Sequence, residues 1–266
     1  MTHTQKVIKY IAMALAFIII ASIISLIINF MSNLNLIKTS KYDDNGILKK
    51  GEYSSNINKI DIELNKTNII IKPAKRIKLE TDNTNLLISN SDNELIIREK
   101  KSKLFLTKTT KYIILYLPNN KNFSELEIDN GVGNVEISDI VVNNLSLELG
   151  AGKAKINNIS VTGSTDIDGG AGNIDINNSH LHNLKLDMGV GHVSIVSVLS
   201  GNNKIEAGVG KIDLLLQNGI SNYQIKVDKG LGSVRINDEE IKNNTIYGDG
   251  NTNIDIDGGI GSIVIK

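Results

Sequence analysis

The strongest constraint on the fold is a Gly-x-Gly motif that occurs seven times between residue 131 and the end of the chain. Successive copies begin 19, 20, 19, 19, 22 and 29 residues apart. A period near 20 residues indicates stacked repeats, each of which buries its apolar face only against its neighbours. The glycines are Gly131, Gly133, Gly150, Gly152, Gly170, Gly172, Gly189, Gly191, Gly208, Gly210, Gly230, Gly232, Gly259 and Gly261.

Each repeat places an alternating strand before the motif and a second short strand after it. Apolar residues before the motif are two apart, as at Leu145, Leu147 and Leu149, which is one face of a strand. After the motif the spacing changes to three, from Ala151 to Ala154, so we expect the glycines at a bulge or corner. The pattern predicts an all-β parallel β-solenoid of about 19–20 residues per coil, with regular repeats over residues 123–266.

The segment before these repeats divides into four parts. Residues 1–9 form a short tail, and residues 10–31 are predicted to form a transmembrane helix because no charged residue occurs between Lys9 and Lys38. Residues 32–55 are polar and predict a tether. Residues 56–122 contain β-like runs at irregular spacing, which predicts N-terminal coils that cap the stack.

The predicted helix makes this a single-pass membrane protein. Lysine counts on the two sides would place the tail outside, because more lysines follow the helix than precede it. We nevertheless expect a cytoplasmic tail and an extracytoplasmic β domain, because a large β domain is hard to rationalise as a tethered cytosolic body. The chain has no cysteine, which excludes disulfides and cysteine metal sites.

The chain resembles the bacterial putative-adhesin family of membrane-anchored β-solenoid domains. The resemblance rests on Ile113-Ile114-Leu115-Tyr116-Leu117-Pro118, on Leu126-Glu127-Ile128 before Gly131-Val132-Gly133-Asn134-Val135-Glu136-Ile137, and on the later repeats. It covers roughly residues 56–266. The family implies a surface-exposed domain, typical of a Gram-positive envelope and without an assigned activity or ligand residues.

The glycines do not match cofactor or metal motifs. A dinucleotide fingerprint requires a third glycine and a following helix, and a phosphate loop requires Gly-Lys-Ser or Gly-Lys-Thr. A calcium-binding nonapeptide roll requires an aspartate where Ile174 stands, and its period is shorter. We therefore expect structural glycines and no cofactor.

An acidic residue occurs two positions before the first glycine of every motif. Alternation turns this column away from the apolar face, and stacked coils would place the carboxylates about 4.8 Å apart, where they repel. Three arrangements would offset the repulsion: hydrogen bonds from backbone N–H groups of the glycine turn, a bound Ca²⁺ ladder, or neighbouring lysines. We expect the first, in which each acidic side chain caps its glycine turn. The column, a weak candidate for the Ca²⁺ ladder, is Asp129, Glu148, Asp168, Asp187, Glu206, Asp228 and Asp257.

The remaining polar clusters give weaker indications. His180, His182 and His192 are expected to be solvated, and an insertion around residues 238–251 is expected to be a solvated loop. No nucleophile has a nearby base in the sequence, so we predict a non-catalytic binding or scaffolding protein of the cell envelope. The alternatives are an accessory sensor or regulator of an envelope-stress system and, least favoured, an envelope-glycan enzyme. Expected partners are the membrane and envelope polymers or surface proteins, with self-association through an open C-terminal edge and no nucleic acid.

Overall fold

The computed structural model describes residues 49–91, 93–100, 110–241 and 245–266. All of these residues belong to one compact unit, Asp43–Lys266. The predicted tail, membrane helix and most of the tether lie outside the described residues. Among those described, no helix has the length and apolar character to cross a bilayer.

The described part is all-β, with one single-turn 3-10 helix at Ile220–Asn222. Lys49–Glu52 is already a strand, although it falls within the range predicted as tether. The strands are β1 Lys49–Glu52, β2 Lys59–Leu64, β3 Thr67–Ala74, β4 Lys78–Thr81, β5 Leu86–Ser91, β6 Glu94–Glu99, β7 Lys111–Pro118, β8 Asn122–Val132, β9 Val135–Ser138, β10 Val141–Asn157, β11 Ser160–His182, β12 Leu184–Ser200, β13 Asn202–Leu216, β14 Tyr223–Ile236, β15 Glu239–Glu240, β16 Thr245–Tyr247 and β17 Thr252–Ile265.

Successive repeats stack through parallel, in-register pairing. Gly152 in β10 pairs with Gly172 in β11, which pairs with Gly191 in β12, which in turn pairs with Gly210 in β13. Each of these strands runs through its Gly-x-Gly motif without a break. The result is a long, mostly parallel sheet of stacked coils, consistent with a solenoid.

The coil order in space differs from the chain order at both ends. The last strand, β17, lies between β13 and β14. The first coil behaves in the same way, because β2 lies between β6 and β8, and β3 lies between β7 and β9. Both chain-terminal coils therefore have partners on two sides.

The exposed coil edges are partly covered by antiparallel strands. At one end β5 pairs with β6, and β4 pairs with β7. At the other end β15 and β16 pair with β14, so the insertion predicted as a solvated loop contributes two short edge strands. The C-terminal strand is internal, and the expectation that it forms an open edge is wrong. Covering of this kind limits uncontrolled edge-to-edge association.

The core follows directly from the alternation of side chains. In β11, for example, Ile167, Ile174 and Ile176 are buried, while Asp168 and Asn173 between them are exposed. Buried Ile, Leu and Val side chains continue from β2 to β17 as one cluster. Burying such a side chain contributes about 1.5–3 kcal/mol, so this stack of aliphatic side chains is the main source of stability.

The second glycine of the motif allows the coils to approach closely. Gly191 has a φ of 151°, and a Cβ on it would overlap the carbonyl oxygen of Gly172 in the preceding coil. The first coil differs, because Asn65-Lys66-Thr67 stands where later coils have Gly-x-Gly, and the Thr67 carbonyl lies against Gly133.

Candidate functional site

The acidic column forms an in-register row on the outer surface. Parallel pairing joins Glu148 to Asp129 on one side and to Asp168 on the other. The row also includes Glu63 of β2, which pairs with Asp129. In spatial order its members are Glu63, Asp129, Glu148, Asp168, Asp187, Glu206, Asp257 and Asp228.

Two aspartates of the row have a raised pKa, chiefly because of burial and to a smaller extent because of neighbouring carboxylates. Burial raises the pKa of Asp187, and a hydrogen bond to Glu206 and the negative charge of Glu206 raise it further. The pKa of Asp129 is raised by burial and by the charge of Glu63. These two aspartates therefore bind a proton more readily than a solvated aspartate does.

Basic side chains offset part of this charge. Lys185 Nζ lies 3.5 Å from carboxylate oxygens of both Asp187 and Asp166. Lys204 pairs with Glu206, and Arg98 lies 3.4 Å from Glu63 at the end of the row. Of the three arrangements considered from sequence, neighbouring cations are the one that the contacts show.

The predicted turn cap is not observed. Backbone N–H groups at the motif donate along the stack instead, as Gly133 N does to the Ala151 carbonyl at 3.0 Å. Within the described residues, Asp168 and Asp187 accept no hydrogen bond from a glycine N–H. No group of three or more His, Asp or Glu side chains arranged to hold a metal ion occurs in that part of the chain either.

We expect Asp187→Asn to stabilise the protein at pH 7 by less than about 1 kcal/mol, because the site is partly exposed. The folded-state pKa of Asp187 is raised, so its contribution to stability is present at acid pH and is lost as pH rises through that pKa. Melting temperatures at pH 7 and below about pH 3.9, the ordinary aspartate pKa, should differ between variant and parent only at pH 7. An equal difference at both values would contradict like-charge repulsion; Asp249→Asn, at an exposed position outside the row, is the control.

The histidines do not come together as a site. His180 is exposed, and His182 Nδ1 lies 2.9 Å from Ser200 Oγ. His192 lies in β12 and is not a loop residue; its Nε2 is 2.7 Å from Asp213 Oδ2. Each histidine therefore has different neighbours, and the three do not form one site.

A second surface feature lies where one coil passes into the next, after the strand that follows the Gly-x-Gly motif. Here Asp139, Asn158 and Asn178 adopt left-handed backbone angles, with φ of 56°, 52° and 50°. Asn and Asp tolerate this region better than other residues with a Cβ. They form one wall of an open groove of about 480 Å³, which we call the amide groove.

The amide groove has a polar wall and a mixed wall. Asn119 and Gln217 extend the polar wall, and Gln217 Nε2 donates to Asn178 Oδ1 at 2.9 Å. Asn158 Nδ2 donates to Asp139 Oδ1 at 2.5 Å. The mixed wall consists of Val141, Ser160, His180 and Val198, and the buried floor includes Ile140, Ile159 and Ser179.

Both Glu63 and the amide groove were missed from sequence, although each carries a signal. Glu63 follows the same alternation, Ile60-Asp61-Ile62-Glu63-Leu64, as the later lead-in strands. The groove residues repeat in Ser138-Asp139-Ile140, Asn157-Asn158-Ile159 and Asn177-Asn178-Ser179 at the coil period. A second periodic motif, offset from the glycines, would have identified them.

The stacked coils and their outward columns define an all-β repeat protein. The chain belongs to the family described as Toastrack DUF4097, whose profile matches residues 57–258, which confirms the resemblance inferred from sequence. None of the curated proteins compared with the chain matched it.

Similar solved structures come from several bacteria. A putative cell adhesion protein from Clostridium sporogenes is 18% identical, over 82% of this chain and 97% of that chain, with a TM-score of 0.37. A putative adhesin from Bacteroides fragilis is 16% identical, over 83% and 97%, with a TM-score of 0.38. A putative lipid binding protein from Parabacteroides distasonis is 13% identical, over 82% and 96%, with a TM-score of 0.34.

Proposed function

We propose that this protein is a non-catalytic binding or scaffolding module of the cell envelope. In this proposal the segment 10–31 anchors the chain in the membrane as a single-pass helix, and the solenoid of residues 56–266 extends on the extracytoplasmic side. Its partners would be envelope polymers or surface proteins.

The observation that supports a binding role is the register of the coils. Equivalent side chains recur about every 4.8 Å along the stack, which makes rows of like groups on the surface. The row from Glu63 to Asp228 is one example, and the corner residues Asp139, Asn158 and Asn178 form another. A catalytic site brings different groups together at one point, whereas a row of like groups suits a partner that is itself periodic.

The extracytoplasmic location of the solenoid can be tested with one introduced cysteine, because the chain has none of its own. Ser54 is exposed on the described surface. With Ser54→Cys, an impermeant thiol reagent added to intact cells should label the protein, because the site would lie outside the membrane. The measurement is the labelled fraction before and after lysis.

Two further cysteines serve as controls for this labelling. Ser179→Cys places the thiol at a position that is only 3% exposed, so it should react only after denaturation. Thr4→Cys, in the N-terminal tail, should react only after lysis. If Ser54→Cys also required lysis, the extracytoplasmic placement would be wrong, and so would a function at the cell surface.

A further inference from the structure

We propose that the amide groove binds an extended, uncharged polysaccharide chain along the stacking axis. This inference rests on the proposed function, since it names the class of envelope polymer that the module would take. The argument uses the composition of the groove, its unused hydrogen-bonding groups and its repeat distance.

The composition of the groove favours a neutral ligand. Asp139 is the one carboxylate among the lining residues, and no lysine or arginine lines the groove. An anionic polymer would therefore meet no lysine or arginine there and would face the carboxylate of Asp139. Asparagine and glutamine side chains offer both a donor and an acceptor, which matches hydroxyl groups that do the same.

The polar wall keeps hydrogen-bonding capacity for a ligand. Asn158 donates to Asp139, which leaves the Asn158 side-chain oxygen without a protein partner. Asn178 accepts from Gln217, which leaves the Asn178 side-chain nitrogen without one. One acceptor and one donor therefore stand on adjacent coils, and both side chains are exposed.

The opposite wall provides apolar contact at intervals. Val141 pairs with Ser160, and His180 pairs with Val198, so apolar and polar side chains both occur along this wall. A sugar ring has polar edges and apolar C–H faces, and a groove with one amide wall and one mixed wall can contact both. This division of polar and apolar groups is typical of small-ligand sites.

The repeat distance favours a polymer. Asp139, Asn158, Asn178 and Gln217 belong to a run of consecutive coils, in which Gln217 lies one coil beyond Ser197. The run spans four inter-coil steps of about 4.8 Å each. Sugar units in an extended β-linked chain repeat over a comparable distance, so units next to Asp139, Asn158 and Asn178 would meet similar side chains on three successive coils.

The test removes two asparagine side chains by substitutions that preserve the backbone conformation. In full-length protein in detergent micelles, Asn158→Gly with Asn178→Gly removes both amides, and glycine accepts the left-handed angles without strain. Asn183→Gly is the matched control, because Asn183 is also left-handed, with φ of 47°, and does not line the groove. Melting curves establish that all three proteins are folded.

The probe is a series of uncharged β-linked N-acetylglucosamine oligomers of increasing length, titrated by calorimetry. We expect affinity to rise with oligomer length, to fall at least about tenfold in the double variant, and to be unchanged in Asn183→Gly, because two neutral hydrogen bonds are lost only in the former. Equal binding by the double variant, no binding by any oligomer, or preferred binding of anionic polygalacturonate would each overturn the proposal.

Co-sedimentation with isolated envelope material separates this proposal from the one on which it rests. If the parent and the double variant sediment equally, the groove is not the binding site and the envelope-binding function stands. If the parent does not sediment, the envelope-binding function fails. Sedimentation of the parent that is lost only in the double variant supports both.

Discussion

Gly191→Ala is expected to lower the free energy of unfolding by at least about 3 kcal/mol, because clash and backbone strain act together. The Cβ of alanine would overlap the Gly172 carbonyl oxygen, and that oxygen belongs to the backbone of the preceding coil. Relief would require the two coils to separate, which would weaken the parallel pairing on both sides of the motif. The φ of 151° adds strain for any residue with a side chain.

Gly219→Ala provides the matched control for this variant. Gly219 also has positive φ, 85°, but a Cβ there would have no atom within 4 Å. Only backbone strain acts there, so the cost should be about 1–3 kcal/mol and should stay below that of Gly191→Ala, where a clash is added. Denaturant unfolding of both variants gives the comparison. Similar losses would mean that the close approach of coils at Gly191 contributes little.

The same geometry explains why the repeats could be predicted from sequence. The Gly-x-Gly motif is a local signal. Because the regular coils stack in register, the motif recurs in each of them, and each copy supports the assignment of a solenoid. Alternation before the motif then fixes which side chains face the core, as at Leu145 and Leu147, both 1% exposed. Coil length and side-chain direction are thus properties of each repeat alone.

The order of the coils is a property of the whole stack and could not be predicted from the individual repeats. Nothing in the spacing of the last motifs encodes that β17 pairs with both β13 and β14. The turn-cap hypothesis failed for a related reason. It assumed that side chains satisfy the N–H groups at the motif, whereas these groups donate to carbonyl oxygens of neighbouring coils, as at Gly133.

The first coil could not be recognised as a repeat because its corner has no glycine. Asn65-Lys66-Thr67 occupies that corner, and the chain satisfies its polar groups with a residue from the neighbouring coil. Glu99, at the end of β6, accepts hydrogen bonds from Asn65 N at 2.8 Å and Lys66 N at 3.0 Å. A partner 34 residues away cannot be identified from the corner sequence itself.

Glu99→Ala is therefore expected to destabilise the protein by about 3 kcal/mol, because hydrogen bonds to a charged group are lost and buried polar groups remain. Glu99 also accepts from Thr67 Oγ1 at 3.0 Å and from Asn83 Nδ2 at 2.9 Å. Thr67 is 0% and Asn83 is 1% exposed, so water cannot readily replace the carboxylate. The measurement is the free energy of unfolding by denaturant.

Two substitutions make this expectation specific to the corner. Glu99→Gln keeps one acceptor oxygen but presents an NH₂ group to a donor, so its loss should be intermediate, about 1–2 kcal/mol. Glu94→Ala, on the same strand, removes only a surface pair with Lys59 at 3.5 Å and should cost less than about 1 kcal/mol. If Glu99→Ala lowered the free energy of unfolding no more than Glu94→Ala does, backbone hydrogen bonds between coils would be sufficient to hold the glycine-free corner. The expected ranking instead makes Glu99 the residue that allows a coil without Gly-x-Gly to stack in the same register as the others.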